Sequence, residues 1–184
     1  DGSYFNAVFN VEAPEGSQKF IALFPYNANH QVSWSDGNIS SLKVNIPATQ
    51  VFRHDSTFGK EAMPMVAWEP YGEVLHFHSL GGIVRIQLYA SGNTSSNKSV
   101  SSIEFEEVNG KQISGLFNVK DWDQFEPYLE STSTDPADKK ITLSCDRTIA
   151  NQFLTFYLVL PAYAPQRMSN NTTGTTTDSI TGTH

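Results

Sequence analysis

Apolar residues recur at every second position along most of this chain, the spacing that puts alternate side chains on opposite faces of a β-strand. "YFNAVFNV" (4–11), "KFIALFPY" (19–26), "ISSLKVNI" (39–46) and "MPMVAW" (63–68) carry the pattern first. "EVLHFHS" (73–79), "GIVRIQLYA" (82–90), "SVSSIEFEEV" (99–108), "KITLSC" (140–145) and "FLTFYLVLPAY" (153–163) continue it. In "GIVRIQLYA", Val84, Ile86 and Leu88 face one way while Arg85 and Gln87 face the other. The last run is apolar on both faces, which predicts a central, covered strand. No window sustains a helical stripe. The best short candidate, "DWDQFEPYLE" (121–130), is interrupted by Pro127 and predicts one turn at most.

Turn formers fill the gaps: "SDGN" (35–38), "LGG" (80–82), "ASGNTSSNK" (90–98), "VNG" (108–110) and "STSTDPAD" (131–138). About nine short strands joined by such loops predict an all-β, two-layer antiparallel β-sandwich over residues 1–168. Residues 169–184, "SNNTTGTTTDSITGTH", hold a single large apolar residue, Ile180, and read as a low-complexity tail. "SLKVNIPATQVF" (41–52) raises a local question, because Pro47 cannot donate to a central ladder. "IPATQ" therefore reads as an architectural corner. Pro47 ends the strand, and Gln50 hydrogen-bonds across the turn.

Composition narrows the class. The chain has 184 residues, 39 % hydrophobic and only 17 % charged, a profile that suits a β-rich secreted or surface domain. A net charge of −7 argues against a nucleic-acid partner, which needs clustered Lys and Arg. No apolar run approaches the roughly 18 residues of a membrane span, and the opening "DGSYFNAVF" reads as a mature or trimmed form. Cys145 is the single cysteine, so no internal disulfide is available. Its phase with Ile141 and Leu143 makes it a small residue on the inner face of a strand.

Candidate chemistry is sparse. His76 and His78, two apart in "LHFHS", would share a strand face, with His30 or His54 to complete a metal site. No third ligand is fixed beside them, so they read as solvent-face residues and no metal is assigned. Asp121, Asp123 and Glu126 lack the glycine and acids of a calcium loop. There is no nucleophile elbow and no phosphate loop, and Glu106 and Glu107 are consecutive, so they face opposite ways. The sequence predicts neither catalysis nor a cofactor. Trp34, Trp68 and Trp122 remain as platforms for carbohydrate contact, Trp34 foremost because it borders a turn.

The order of landmarks resembles a known family. "FIALFPYNA" (20–28), "VNIPATQVF" (44–52), "AMPMVAW" (62–68) and "LHFHSLGGIVRIQL" (75–88) come first. "VSSIEFEEVNGKQISGLFNV" (100–119), "ITLSCD" (141–146) and "FYLVLPA" (156–162) follow. Over about residues 5–163 this is similar to the fimbrillin-like surface proteins of Bacteroidales, subunits and tip or anchor components of fimbriae. The resemblance implies a transthyretin-like sandwich, lipoprotein export, and display at the outer membrane. It also implies partners that are other fimbrial subunits, joined by strand addition after removal of an N-terminal strand. Host glycan or protein would be further ligands. The second sandwich domain usual in that family would follow "LPA", where this sequence has a low-complexity tail, so the expectation is either a second domain lost or cut away or a one-domain relative. The family context also marks "DST" (55–57) and "DSI" (178–180) as O-glycosylation acceptors. The Asn-x-Ser/Thr matches at Asn38, Asn93, Asn97, Asn170 and Asn171 would go unused by such an exporter. The expectation is a non-enzymatic adhesion subunit, with a carbohydrate-binding module as the alternative.

Overall fold

In the computed structural model, residues 19–53, 57–89, 98–149 and 153–164 are described. The expected strand at 4–11, His54, the "DST" triplet up to Ser56, and the tail from 169 lie outside them. Twelve strands and one short 3₁₀ turn make up the regular structure of the described residues. They are β1 (Lys19–Phe24), β2 (Gln31–Ser35), β3 (Asn38–Ile46), β4 (Thr49–Val51), β5 (Met65–Pro70) and β6 (His78–Ser79). Then come β7 (Gly81–Tyr89), β8 (Lys98–Glu106), β9 (Gly115–Lys120), β10 (Tyr128–Ser131), β11 (Lys140–Ile149) and β12 (Phe153–Pro161). The fold is an all-β sandwich, and no helix among the described residues is long and apolar enough to cross a membrane.

The strands pair as β1-β5-β6, β10-β9-β3-β2, β4-β11-β8 and β12-β7. All pairings are antiparallel except β4 on β11. Hydrogen bonds outside the ladders join neighbouring sheets. The Ala162 N–H donates to the Leu80 carbonyl, and the Leu129 N–H donates to the Ala162 carbonyl, so the chain after β12 bridges β10 and the residue after β6. A main apolar core results, with a smaller cluster of Ala62, Met63 and Val159 beside it. Leu42, Val44 and Ile46 of β3 meet Phe117 and Val119 of β9, Val66 of β5, Leu129 of β10 and Ile141 of β11, all buried.

Local chemistry explains several junctions. Asp36 and Gly37 both take positive φ, 51° and 75°, giving the two-residue hairpin whose twist matches its flanking strands. Beyond it, Trp34 pairs with Ile39 and Ser33 with Ser41, leaving Ser40 as the extra residue of a β-bulge. The bulge changes phase, so Ile39 packs on the core although Leu42, Val44 and Ile46 set the opposite parity. A second bulge sets Cys145 and Asp146 against Ser101, with Asp146 at φ 44°. Cys145 follows Ile141 and Leu143 inward and is half-buried, and burial pushes its thiol pKa up.

Three expectations change. Residues 73–77 are not a strand, and only His78–Ser79 of "EVLHFHS" pairs, with Met65 and Val66. The segment 121–130 yields turns and then β10, while the 3₁₀ turn falls at Pro136–Lys139, capped by the Asp135 side chain on the Ala137 N–H. β12 is covered on its faces, but β7 is its one ladder partner among the described residues, so it is not central. "IPATQ" turns the chain, as expected, and then resumes as β4 against β11.

Candidate functional site

Gln50 is 2 % exposed, and its side chain bonds not across its own turn, as expected, but to a strand far away in the chain. Its Nε2 donates to the Val159 carbonyl at 2.8 Å, and its Oε1 accepts the Val159 N–H at 2.9 Å. The side-chain amide thus does for β12 what the peptide of a neighbouring strand would do. It closes the outer edge of β12 beside β4, whose backbone is occupied by β11. Phe52, one step beyond β4, packs its ring 5.2 Å from that of Phe156.

The Gln50 clasp also settles the polarity of the β7 edge. In an antiparallel pair, opposed residues either exchange hydrogen bonds or both turn their backbone groups away. Val159 spends its N–H and C=O on Gln50, away from β7, and Val159 stands opposite Ile83. Ile83 therefore turns its own N–H and C=O outward, and so do Arg85, Gln87 and Tyr89. Among the described residues no strand pairs with that edge. It runs nine residues without a register shift, contains no Pro or Lys, and exposes Ile83 and Tyr89, with Phe153 stacked 4.9 Å from Tyr89. Edges lacking such blocking residues are templates for another strand. The outer edge of β8 differs, carrying Glu104 and Glu106, both paired to Lys140.

The three tryptophans stand in different surroundings. Trp34 on β2 is 63 % exposed. Trp68 on β5 has the Lys19 ammonium 4.3 Å above its ring, so that face is occupied. Trp122 packs partly on the core at the end of β9 and walls a polar cleft of about 240 Å³. The structure does not bring the three onto one platform.

His76 and His78 do not share a strand face, because the strand begins only at His78. His76 meets the Glu69 carboxylate at 3.0 Å, and the His78 ring lies edge-on to Phe125 at 5.9 Å. No group of three metal-ligating side chains occurs among the described residues. His30 instead accepts the Asn45 N–H on Nδ1 at 3.1 Å, tying the β1–β2 loop to β3. Its Nε2 is buried without a hydrogen-bond partner among the described residues, and burial pushes its pKa down.

Gln112 is the polar hub that the sequence pattern did not mark. Fully buried, it accepts from the Ser131 hydroxyl and the Thr132 and Ser133 N–H groups, and it donates to the Ser114 and Leu116 carbonyls. Its own carbonyl accepts the Tyr163 hydroxyl, whose pKa burial pushes up to about 12. The missed signal was the neighbouring run "QISG", where a polar residue enters a segment that ends in Gly115 at φ 85°. No family model matches the chain, and no curated protein or solved structure matches it significantly.

Proposed function

We propose that this chain is a non-enzymatic adhesion or fimbrial subunit of the fimbrillin-like, transthyretin-like type, exported to the cell surface, which joins other subunits by β-strand pairing. The observation that supports the reading is the β7 edge: four residues with outward backbone groups, a nine-residue unbroken register, and exposed apolar side chains at both ends. An incoming strand would take its affinity from the Ile83, Arg85, Gln87 and Tyr89 main chain and its register from their side chains.

The test is Arg85→Pro, which removes one outward N–H and leaves the ladder to β12 whole, because edge positions facing solvent tolerate proline. Light scattering after size exclusion would follow assembly of the chain with its like subunits. Loss of assembly in Arg85→Pro, with an unchanged melting temperature, supports the edge; equal assembly of the variant and the parent chain rejects it. A second reading, a carbohydrate-binding module, rests on the exposed ring of Trp34 beside the Asp36–Gly37 turn. Glycan binding lost in Trp34→Ala would favour it.

A further inference from the structure

The two sheets that enclose the main core differ in width. β1-β5-β6 has three strands and β10-β9-β3-β2 has four. Ile21 and Leu23 of β1 and Val66 of β5 pack there with Leu42 and Val44 of β3 and Phe117 of β9. Contacts at the flanks give the alignment. On one flank the His78 ring of β6 lies 5.9 Å from Phe125 in the β9–β10 connection, and Ala162 links Leu80 to Leu129 of β10. On the other, His30 ties the β1–β2 connection to Asn45 of β3. β6 therefore lies over β10 and β1 over β3, and no strand among the described residues lies over β2.

The side chains of β2 show the consequence. Val32 stands opposite Leu42, a buried core residue, and Trp34 opposite Ile39, which packs on the core. Opposed residues of an antiparallel pair share a face, so Val32 and Trp34 point to the core side of their sheet. Yet they are 40 % and 63 % exposed. Single apolar residues on a solvent face are ordinary, whereas an apolar pair left open on the inner face of a sandwich marks a contact surface. β2 carries no charge and no proline, and its outer edge, like that of β1, has no strand partner among the described residues.

We infer that a second copy of this chain covers β2, in a twofold dimer where β2 of each copy adds to β1 of the other. The exchange is mutual. Each three-stranded sheet runs on into the four-stranded sheet of the other copy, and the Val32 and Trp34 side chains of the two copies pack face to face. Residues 25–30 connect β1 to β2 across the sandwich, so within one copy the two strands run in opposite senses. A twofold axis along the strands keeps that relation, and β1 meets the other copy's β2 antiparallel. Asp36, at the end of β2, then comes beside Lys19, at the start of the other copy's β1, giving opposite charges in both seams while β2 itself brings no charge into the contact. The interface uses neither β7 nor β12, and it assigns Trp34 to a protein contact rather than to a sugar.

The test is sedimentation equilibrium of the whole chain from about 1 to 100 µM, which brackets micromolar association, with Val32→Lys, Trp34→Lys and Arg85→Pro alongside. The expected result is a monomer–dimer equilibrium weakened at least about tenfold by either lysine, since each would bury an unpaired charge, and unchanged in Arg85→Pro. Both substituted side chains are exposed in the single copy, so thermal unfolding at the lowest concentration should match the parent and separates lost association from lost folding. A monomer at every concentration overturns the inference and leaves the cover of β2 to a segment of the same chain, residues 4–11 being the nearest with strand alternation. A dimer as strong in both lysine variants as in the parent also overturns it. A dimer lost only in Arg85→Pro moves association to the β7 edge, which overturns this interface and supports the proposed function.

Discussion

At the scale of single residues, two buried glutamine amides hold together segments far apart in sequence. Gln112 has five side-chain hydrogen bonds, one buried and four part-buried, and truncating it would strip their partner from several of these groups at once. Gln112→Ala should cost at least about 3 kcal/mol, the sum of orphaned buried donors and acceptors less some relaxation. Urea unfolding measures it, and a loss under about 1 kcal/mol would remove Gln112 from its central place. His30 adds a pH dependence. Burial holds its pKa below the ordinary 6.5, with the Pro25 carbonyl opposing in part, and protonation would set an N–H against the Asn45 N–H. The folded pKa lies below the unfolded one, so the unfolded chain takes up the proton first. The His30 contribution is whole above pH 6.5 and is lost as pH falls through the lower, folded value. His30→Gln keeps an acceptor for Asn45 without a titrating group. Its stability should fall less than that of the parent chain between about pH 7 and pH 5, and parallel losses would exonerate the histidine.

At the scale of elements, alternation foretold most strands but not what each one does at its ends. β1, β3, β5, β7, β8, β11 and β12 were legible because their buried and exposed positions alternate or are uniformly apolar. β2 was not, since all five of its residues are exposed and its pairing is with β3 backbone alone. β9 and β10 were hidden for another reason. "GLFNVK" and "YLES" are short and sit beside turn residues, and their hairpin is fixed by Gln112 and by the Thr132 hydroxyl on the Leu116 carbonyl. The entry to β9 depends on Gly115, whose φ is 85° and whose added Cβ would stand 2.7 Å from the Asp138 Oδ1. Gly115→Ala meets both the forbidden backbone and that carboxylate. A loss of about 2 kcal/mol is expected, and it should lower the thermal midpoint; a midpoint unchanged within error would mean that the 3₁₀ turn yields freely.

At the scale of the whole molecule, the sheets meet where the chain crosses between them. Gly81 sits at one crossing, and a Cβ there would come 2.7 Å from Val159 Cγ1 and 3.0 Å from the Leu160 carbonyl oxygen. Gly81→Ala should therefore destabilise the parent chain by about 1–3 kcal/mol through overpacking, read as a lower urea midpoint with an unchanged slope. A midpoint at the parent value would show slack in that contact. The proposed functional surfaces were legible only in part. The tryptophans could be named from sequence, yet Lys19 over Trp68 and the uncovered inner-face setting of Trp34 depend on neighbours distant in the chain. The sequence by itself determined the all-β class, the turn at Asp36–Gly37 and the strand end at Pro47, because side-chain periodicity and turn chemistry act over a few residues. Only the tertiary structure decided that β4 lies parallel on β11, that Gln50 clasps Val159 of β12 from 109 residues away, and that no strand among the described residues pairs with the outer edge of β7. The reason is physical. A pattern of apolar positions states which face of a strand is buried, whereas every strand offers the same N–H and C=O groups at its edges, and only the packed arrangement chooses among partners.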